Sequence, residues 1–448
     1  MQKERENNSN SNINRSINNS DTRKETAANE AAKCSTEKHS TARRNAAKSS
    51  TEMHGTEKST AAKIATTALN GQKKHISKII WMAFTVLFAL FLILFNRSLE
   101  YQNPGDMLEG IEYSTGRVVK IENDTLAPDP AFPYINIGRQ NLTLTIKGGK
   151  YNGQTVTAVN FIERGMNSPA KIGTRMVLSS YDGFFTTMVI DYNREPVIYT
   201  LLAVFLGLLV WFGRKKGAKS IYALAFTLCS IIFLFIPMTI RGVDAIIAAV
   251  IVAVMSTVVS LFSLNGWSKK SFISSISCAL CTFASGIIAF IAGAAAHIST
   301  LNTAESELLL FISQDTKLQI HHLFFAGIIF ATLGAVTDTS MSITSAIVEL
   351  KEVNPNMSSR ELYRSGMNIG RDVMGTMTDT LILAFTGSSI NLFVMFYMYQ
   401  YRYTYLINMQ SLVVELIQGL SGSIAVVLSV PVSALLAVRF IRRDTLST

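Results

Sequence analysis

Charge, cysteine and histidine are scarce in this sequence. Only 16% of the 448 residues are charged and 48% are hydrophobic, a balance unusual for a soluble domain that points to several membrane spans. The four cysteines are Cys34, near the N-terminus, and Cys229, Cys278 and Cys281, all in apolar runs, so no disulfide framework is implied. Cys278 and Cys281 form a C-x-x-C in mid-run without further ligands and read as small packing residues. His297, His321 and His322 flank one loop, where interfacial polar groups are a better reading than a metal site. The phosphate-binding pattern G-x-x-x-x-G-K-[ST] is missing, so coupling to ATP within this chain is not expected, and no cofactor is.

Residues 1–76 lack Pro, Phe, Tyr and Trp altogether. Such a segment buries too little apolar area to offset its ordering entropy, so a disordered tail is expected. It repeats imperfectly every fifteen residues, from Ala31 to His39, from Ala46 to His54, and in a degraded copy from Ala61. The repeated histidines read as drifting low-complexity sequence rather than as metal ligands.

What remains is mostly hydrophobic runs. The first, Ile79 to Phe95, follows Lys73, Lys74 and Lys78 and lacks a small-residue cleavage site, which makes residues 77–96 an uncleaved anchor with its N-terminus inside. Seven more runs lie at about 196–212, 219–240, 244–264, 272–296, 322–347, 373–397 and 412–438, for eight expected spans within a lipid bilayer. The formal charge of +10 sits mainly in the tail and in loops on one side of these runs. The loop groups are Arg214, Lys215, Lys216 and Lys219, then Lys269 and Lys270, then Lys351, Arg360, Arg364 and Arg371, then Arg439, Arg442 and Arg443. That pattern orients a multi-pass membrane protein with both termini in the cytoplasm; it is not a nucleic-acid face.

Between the first two runs the texture changes. Alternating segments at Gly116–Ile121, Asn141–Ile146, Thr155–Phe161, Thr174–Ser179 and Phe184–Asp191 are separated by turn signals. Residues 97–195 are therefore expected to form a small extracytoplasmic β-barrel, OB-like, and they contain neither cysteine nor histidine. The predicted fold is mainly α: a polytopic membrane helix bundle in which residues 196–443 supply seven helices beyond the anchor.

Two of the runs carry the same tripeptide, Thr337-Asp338-Thr339 and Thr378-Asp379-Thr380. A membrane aspartate costs about 2.5–3.5 kcal/mol on insertion scales and normally faces protein or water. Helical periodicity groups Asp338 with Gly327, Ala331, Gly334, Ser342, Ser345 and Glu349, and Asp379 with Asn368, Asp372, Gly375 and Thr386. Both carboxylates are expected about 10–14 Å inside the cytoplasmic boundary, where adjacent antiparallel helices bring them together. The competing reading is helix packing through small residues. Between these helices, Pro355 ends one and Ser358-Ser-Arg-Glu361 is a capping box that starts the next. Asn368, Arg371 and Asp372 then stand at the membrane boundary as a candidate gate, with an Arg371–Asp372 pair the plainer alternative. The last run carries Glu415 near its outer end, and Arg241 and Asp244 read as a surface pair.

The segments Gly334-Ala-Val-Thr-Asp338, Met341-Ser-Ile, Glu349-Leu, Ser365-Gly-Met-Asn-Ile-Gly-Arg-Asp-Val-Met-Gly-Thr-Met-Thr378, Leu381-Ile-Leu-Ala-Phe-Thr-Gly-Ser-Ser389 and Gly422-Ser-Ile-Ala-Val-Val-Leu-Ser-Val-Pro431 resemble the YibE/F-like family of bacterial multispanning membrane proteins. The resemblance implies the topology, with the outer domain included, and implies an asparagine at the position of Asp379, which leaves Asp338 the stronger candidate.

The expected function is transport or export of a small solute or ion, coupled to protons through Asp338. Asp379, Asn368, Ser342 and Glu415 are the further candidates along the path, and Arg371 and Asp372 the gate. A non-transporting envelope adaptor, binding an envelope protein through its outer β domain, is the alternative. An intramembrane aspartyl protease is more remote, because the G-x-G-D pattern of such enzymes is missing. Nothing in the sequence fixes substrate, direction or oligomeric state.

Overall fold

A computed structural model describes residues 83–97, 111–148, 151–166, 168–181, 186–298 and 306–445. The expectations for the tail lie outside the described residues. Helix α1 spans Ala83–Arg97, in agreement with the first apolar run.

The β domain is a closed barrel of β1 (Ile111–Asp124), β2 (Ala127–Pro128), β3 (Asn136–Lys147), β4 (Thr155–Ile162), β5 (Arg175–Tyr181) and β6 (Thr186–Tyr192). The sheet runs β1-β5-β6-β4-β3, and β3 pairs back onto β1. All these pairings are antiparallel except β4 with β6. Leaving out the two-residue β2, this is the strand order of an OB fold, as the alternating segments predict. The alternation itself sets the register: Leu142, Leu144 and Ile146 of β3 are buried, and Leu142 and Leu144 join Val118, Met176 and Leu178 in the core. Two polar side chains are also enclosed. Gln140 accepts from the Ala170 amide at 2.8 Å and donates to Asp124 at 2.9 Å, while Asn160 donates to Gln140 at 3.3 Å. These bonds hold the connection between β4 and β5 against the barrel.

The helical part comprises α2 (Glu195–Ser230), α3 (Ile236–Ile240), α4 (Ala245–Asn265), α5 (Lys269–Ala295), α6 (Ser306–Asp315), α7 (Leu323–Val353), α8 (Ser359–Ser388), α9 (Ile390–Tyr399), α10 (Tyr403–Asn408) and α11 (Gln410–Thr445). Among the described residues, five helical stretches are long and apolar enough to cross a membrane, or six if the bent pair α8–α9 counts as one. One of the five, Glu195–Ile240, runs for 46 residues but breaks at Arg214, whose φ of 46° and ψ of −126° are not helical. A β-carbon on Gly217 would overlap the Leu209 carbonyl, eight residues back. Unbroken helix would hold those residues about 12 Å apart, so the chain folds back on itself there.

The helix boundaries follow local chemistry. Asp244 accepts from the amides of Ile246 and Ile247 and opens α4, Ser268 caps α5, and Ser358 with Glu361 makes a complete capping box for α8. α5 packs against α4, α7 and α11, and α7 against α8 and α11. Small residues allow these approaches: side chains placed on Gly286 and Gly293 of α5 would collide with Ile329 and Phe325 of α7. The side of α5 turned inward carries Ser271, Ser274, Ser277, Cys278, Thr282 and Ser285, all buried. Its outward side carries Phe272, Leu280, Phe283, Ile287, Phe290 and Ile291, as a lipid-facing helix requires.

Candidate functional site

Helix α7 reverses that pattern. Its exposed positions within the span are Gly327, Ala331, Gly334, Asp338 and Ser342, and among the described residues its one exposed large apolar side chain is the terminal Val353. The apolar bulk of α7 is turned inward instead, through Phe325, Ile328, Ile329, Ile343 and Ile347. The stretch of α8 from Leu362 to Thr380 does the same: Asn368, Arg371, Asp372, Gly375, Thr376, Asp379 and Thr380 are exposed, while Leu362, Gly366 and Gly370 are buried. Gly366 and Gly370 receive Ile347 and Ile343 of α7, so the two helices are locked with their polar faces turned out.

The two Thr-Asp-Thr tripeptides have matching geometry. Thr339 and Thr380 each return their hydroxyl to the carbonyl one turn back, Ala335 at 2.8 Å and Thr376 at 2.7 Å. Thr337 donates to Leu333 at 2.6 Å and lies 3.1 Å from the Cys278 sulfur, whereas the Thr378 hydroxyl is buried without a partner. In the first the aspartate alone is exposed, and in the second Asp379 and Thr380 both are. Neither carboxylate makes a hydrogen bond or ion pair among the described residues, and the expected meeting of Asp338 with Asp379 is not bridged by any such bond. Glu349, near the C-terminal end of the same α7 face, is held by Lys270 at 3.0 Å.

At the boundary, Arg371 donates to Asn368 at 3.2 Å. It forms no ion pair with Asp372, so the plainer alternative for this arginine does not hold in the structure. Glu415 lies apart from these groups, half-buried on α11, where it lines a cavity of about 100 Å³ with Thr386, Ser389 and Gly419. That cavity adjoins the 64° bend between α8 and α9.

Two pairings at the other end of the bundle correct the sequence reading. Asp244 bonds His322 Nδ1, not Arg241. Arg241 reaches the Phe95 carbonyl at 2.5 Å and stacks over the Phe95 ring at 3.6 Å. The buried polar row of α5 was also missed, although serines and cysteines spaced three or four apart from Ser271 to Ser285 announce it. No group of three or more His, Cys, Asp or Glu side chains placed to hold a metal occurs among the described residues.

A helical membrane protein carrying an OB-like barrel and an outward polar face on two locked helices is the class these features define. The model of the YibE/F-like protein family matches residues 201–443, more than half of the chain, and the chain belongs to that family. The match takes in every helix from α4 to α11, with Asp338 and Asp379, and does not include the barrel. No curated protein and no solved structure matches the chain significantly.

Proposed function

We propose that this protein is a transporter or exporter of a small solute or ion in the bacterial cytoplasmic membrane, coupled to protons through Asp338. The observation that carries the reading is an unpaired carboxylate on a membrane-length helix whose outward face has no large apolar side chain. Such a group is expensive in lipid and is kept where it meets water or protein, free to exchange a proton or a cation.

The proposal takes eight crossings: α1, the two arms either side of Arg214, α4, α5, α7, the α8–α9 pair and α11. Among the described residues, five or six helical stretches are long and apolar enough to span. With eight crossings, the basic residues at Arg214–Lys219, Lys269–Lys270, Lys351–Arg364 and Arg439–Arg443 fall on one side, which supports reading both termini as inside and the barrel as outside.

The test needs no knowledge of the substrate. The full chain is reconstituted into liposomes holding a trapped pH-sensitive dye, and a potassium gradient with valinomycin drives proton entry. Proton flux above protein-free liposomes, lost in Asp338→Asn and retained in Asp379→Asn, is the expected result. Equal flux in wild type and Asp338→Asn would overturn the reading.

A second reading, an envelope adaptor, has its own support. Tyr134, Phe132, Phe161 and Met166 are exposed on the barrel at 82%, 40%, 44% and 65%. Arg164 stacks over Phe132 at 5.1 Å beside them. Retention of flux in a chain lacking residues 99–195, with loss of a protein cross-linked to wild type in membranes, would assign the barrel that role.

A further inference from the structure

We infer that a second copy of this chain packs against the α7–α8 face and closes the site that one copy leaves open. The inference rests on reading α7 and α8 as membrane-spanning, and not on transport. A lipid-facing helix in this protein looks like α4 or α5, with Ile247, Ile251 and Val258 on one and Phe272, Leu280 and Phe283 on the other. Gly327, Ala331, Gly334, Asp338 and Ser342 present nothing for acyl chains to pack on. Their spacing of three and four residues gives a flat track on which another helix backbone can lie close. Among the described residues no atom approaches within 4 Å of where β-carbons on Gly327, Gly334 and Gly375 would stand, so the described part of one copy leaves the track vacant.

Charge selects the occupant. Arg371 and Asp372 are neighbours of opposite sign, both exposed on α8, and they do not pair with each other. A two-fold axis along the membrane normal keeps every residue at its own depth. Two copies related by that axis therefore bring Arg371 of one to the level of Asp372 of the other, and the reverse contact forms at the same time. Adjacent opposite charges at one depth are thus complementary to themselves. Asp338 and Asp379 of both copies then lie between protein walls instead of lipid, where a carboxylate is tolerated.

The experiment is cross-linking of the full chain in native membranes, with Cys34 and Cys229 changed to serine and the buried Cys278 and Cys281 retained. Ala331→Cys and Ser342→Cys, treated with a bis-maleimide, are expected to give a band of doubled mass, and Ile251→Cys on the outward face of α4 is expected to give none. Arg371→Asp and Asp372→Arg, each introduced alone into the Ala331→Cys chain, place like charges opposite each other and are expected to abolish the doubled band. The two together in one chain restore complementarity and are expected to restore the band. Absence of a doubled band at both 331 and 342 overturns the inference, as does an adduct of any other mass, which would show a different protein on this face. A doubled band that persists through both single charge variants, or fails to return in the double one, overturns the symmetric charge pairing. Cross-linking and proton flux are separate measurements, so either conclusion can fail without the other.

Discussion

Gly370 and Val430 interlock α8 with α11: a β-carbon on the glycine would overlap Cγ1 of the valine and come within 3.2 Å of Ile343 Cδ1 on α7. That one contact fixes the rotation of α8, and hence the outward direction of Asp372 and Asp379. Gly370→Leu is expected to destabilise the helical domain by about 1–3 kcal/mol through overpacking. Gly387→Ala, on the same helix but with nothing within 4 Å, is expected to be neutral or stabilising by up to about 1 kcal/mol. Thermal unfolding of the two variants in one detergent separates them; equal midpoints would contradict the interlock.

The hydroxyls of Ser277 and Ser433 meet at 2.6 Å between α5 and α11, buried from solvent and lipid. Hydrogen bonds between membrane helices average about 0.6 kcal/mol in double-mutant cycles, with a maximum near 1.7. Ser277→Ala and Ser433→Ala are therefore expected to show a coupling energy in that range. A coupling of zero would mean that each hydroxyl is served equally well by its own helix.

Much of this arrangement is legible in the sequence. The five barrel strands follow from alternation with period two, and the faces bearing Asp338 and Asp379 follow from period 3.6, because both patterns record burial directly. What periodicity does not carry is the identity of a distant partner. Asp244 stands three residues from Arg241, so a local pair is the natural reading. As the N-cap of α4, however, its carboxylate is turned toward the amides of Ile246 and Ile247, and the nearest base there is His322, 78 residues on. The bend at Ser389 was hidden for another reason. No proline marks it, and the Gly387-Ser388-Ser389 step inside an otherwise apolar run permits a bend without requiring one.

In the barrel, Asp129 is buried and Arg164 donates to it at 2.5 and 2.8 Å. The Arg164 guanidinium, with the amides of Ala131 and Phe132, holds its carboxyl at about 2 instead of the ordinary 3.8. A depressed carboxylate pKa contributes stability that is present above the unfolded value and lost as pH falls through the folded one. The connection between β2 and β3 is therefore expected to stay closed down to about pH 4 and to loosen between there and pH 2. Arg164→Ala should move that loosening to higher pH. Hydrogen exchange of the 125–135 amides, corrected for intrinsic rates, reads it; the same midpoint with and without Arg164 would show that the pair does not hold the loop.

At the far end of the bundle, Asp244 has two duties that substitutions can separate. Its Oδ1 accepts from Ile246 at 2.9 Å and from Ile247 at 3.3 Å, and its Oδ2 meets His322, the residue that precedes α7. Asp244→Asn keeps a side-chain acceptor for the cap and removes the charge. Asp244→Ala removes both, and losing an N-cap alone costs about 0.5–2 kcal/mol. Alanine is therefore expected to lower the unfolding midpoint further than asparagine, by an amount set by the cap. His322→Ala should reproduce the asparagine effect and add little to it in the double variant, because the two changes delete the same contact. Additive losses in that double variant would mean that Asp244 and His322 stabilise their helices independently, and the segment before α3 would remain tied to α7 through Phe235 and Phe330, whose rings lie 5.0 Å apart.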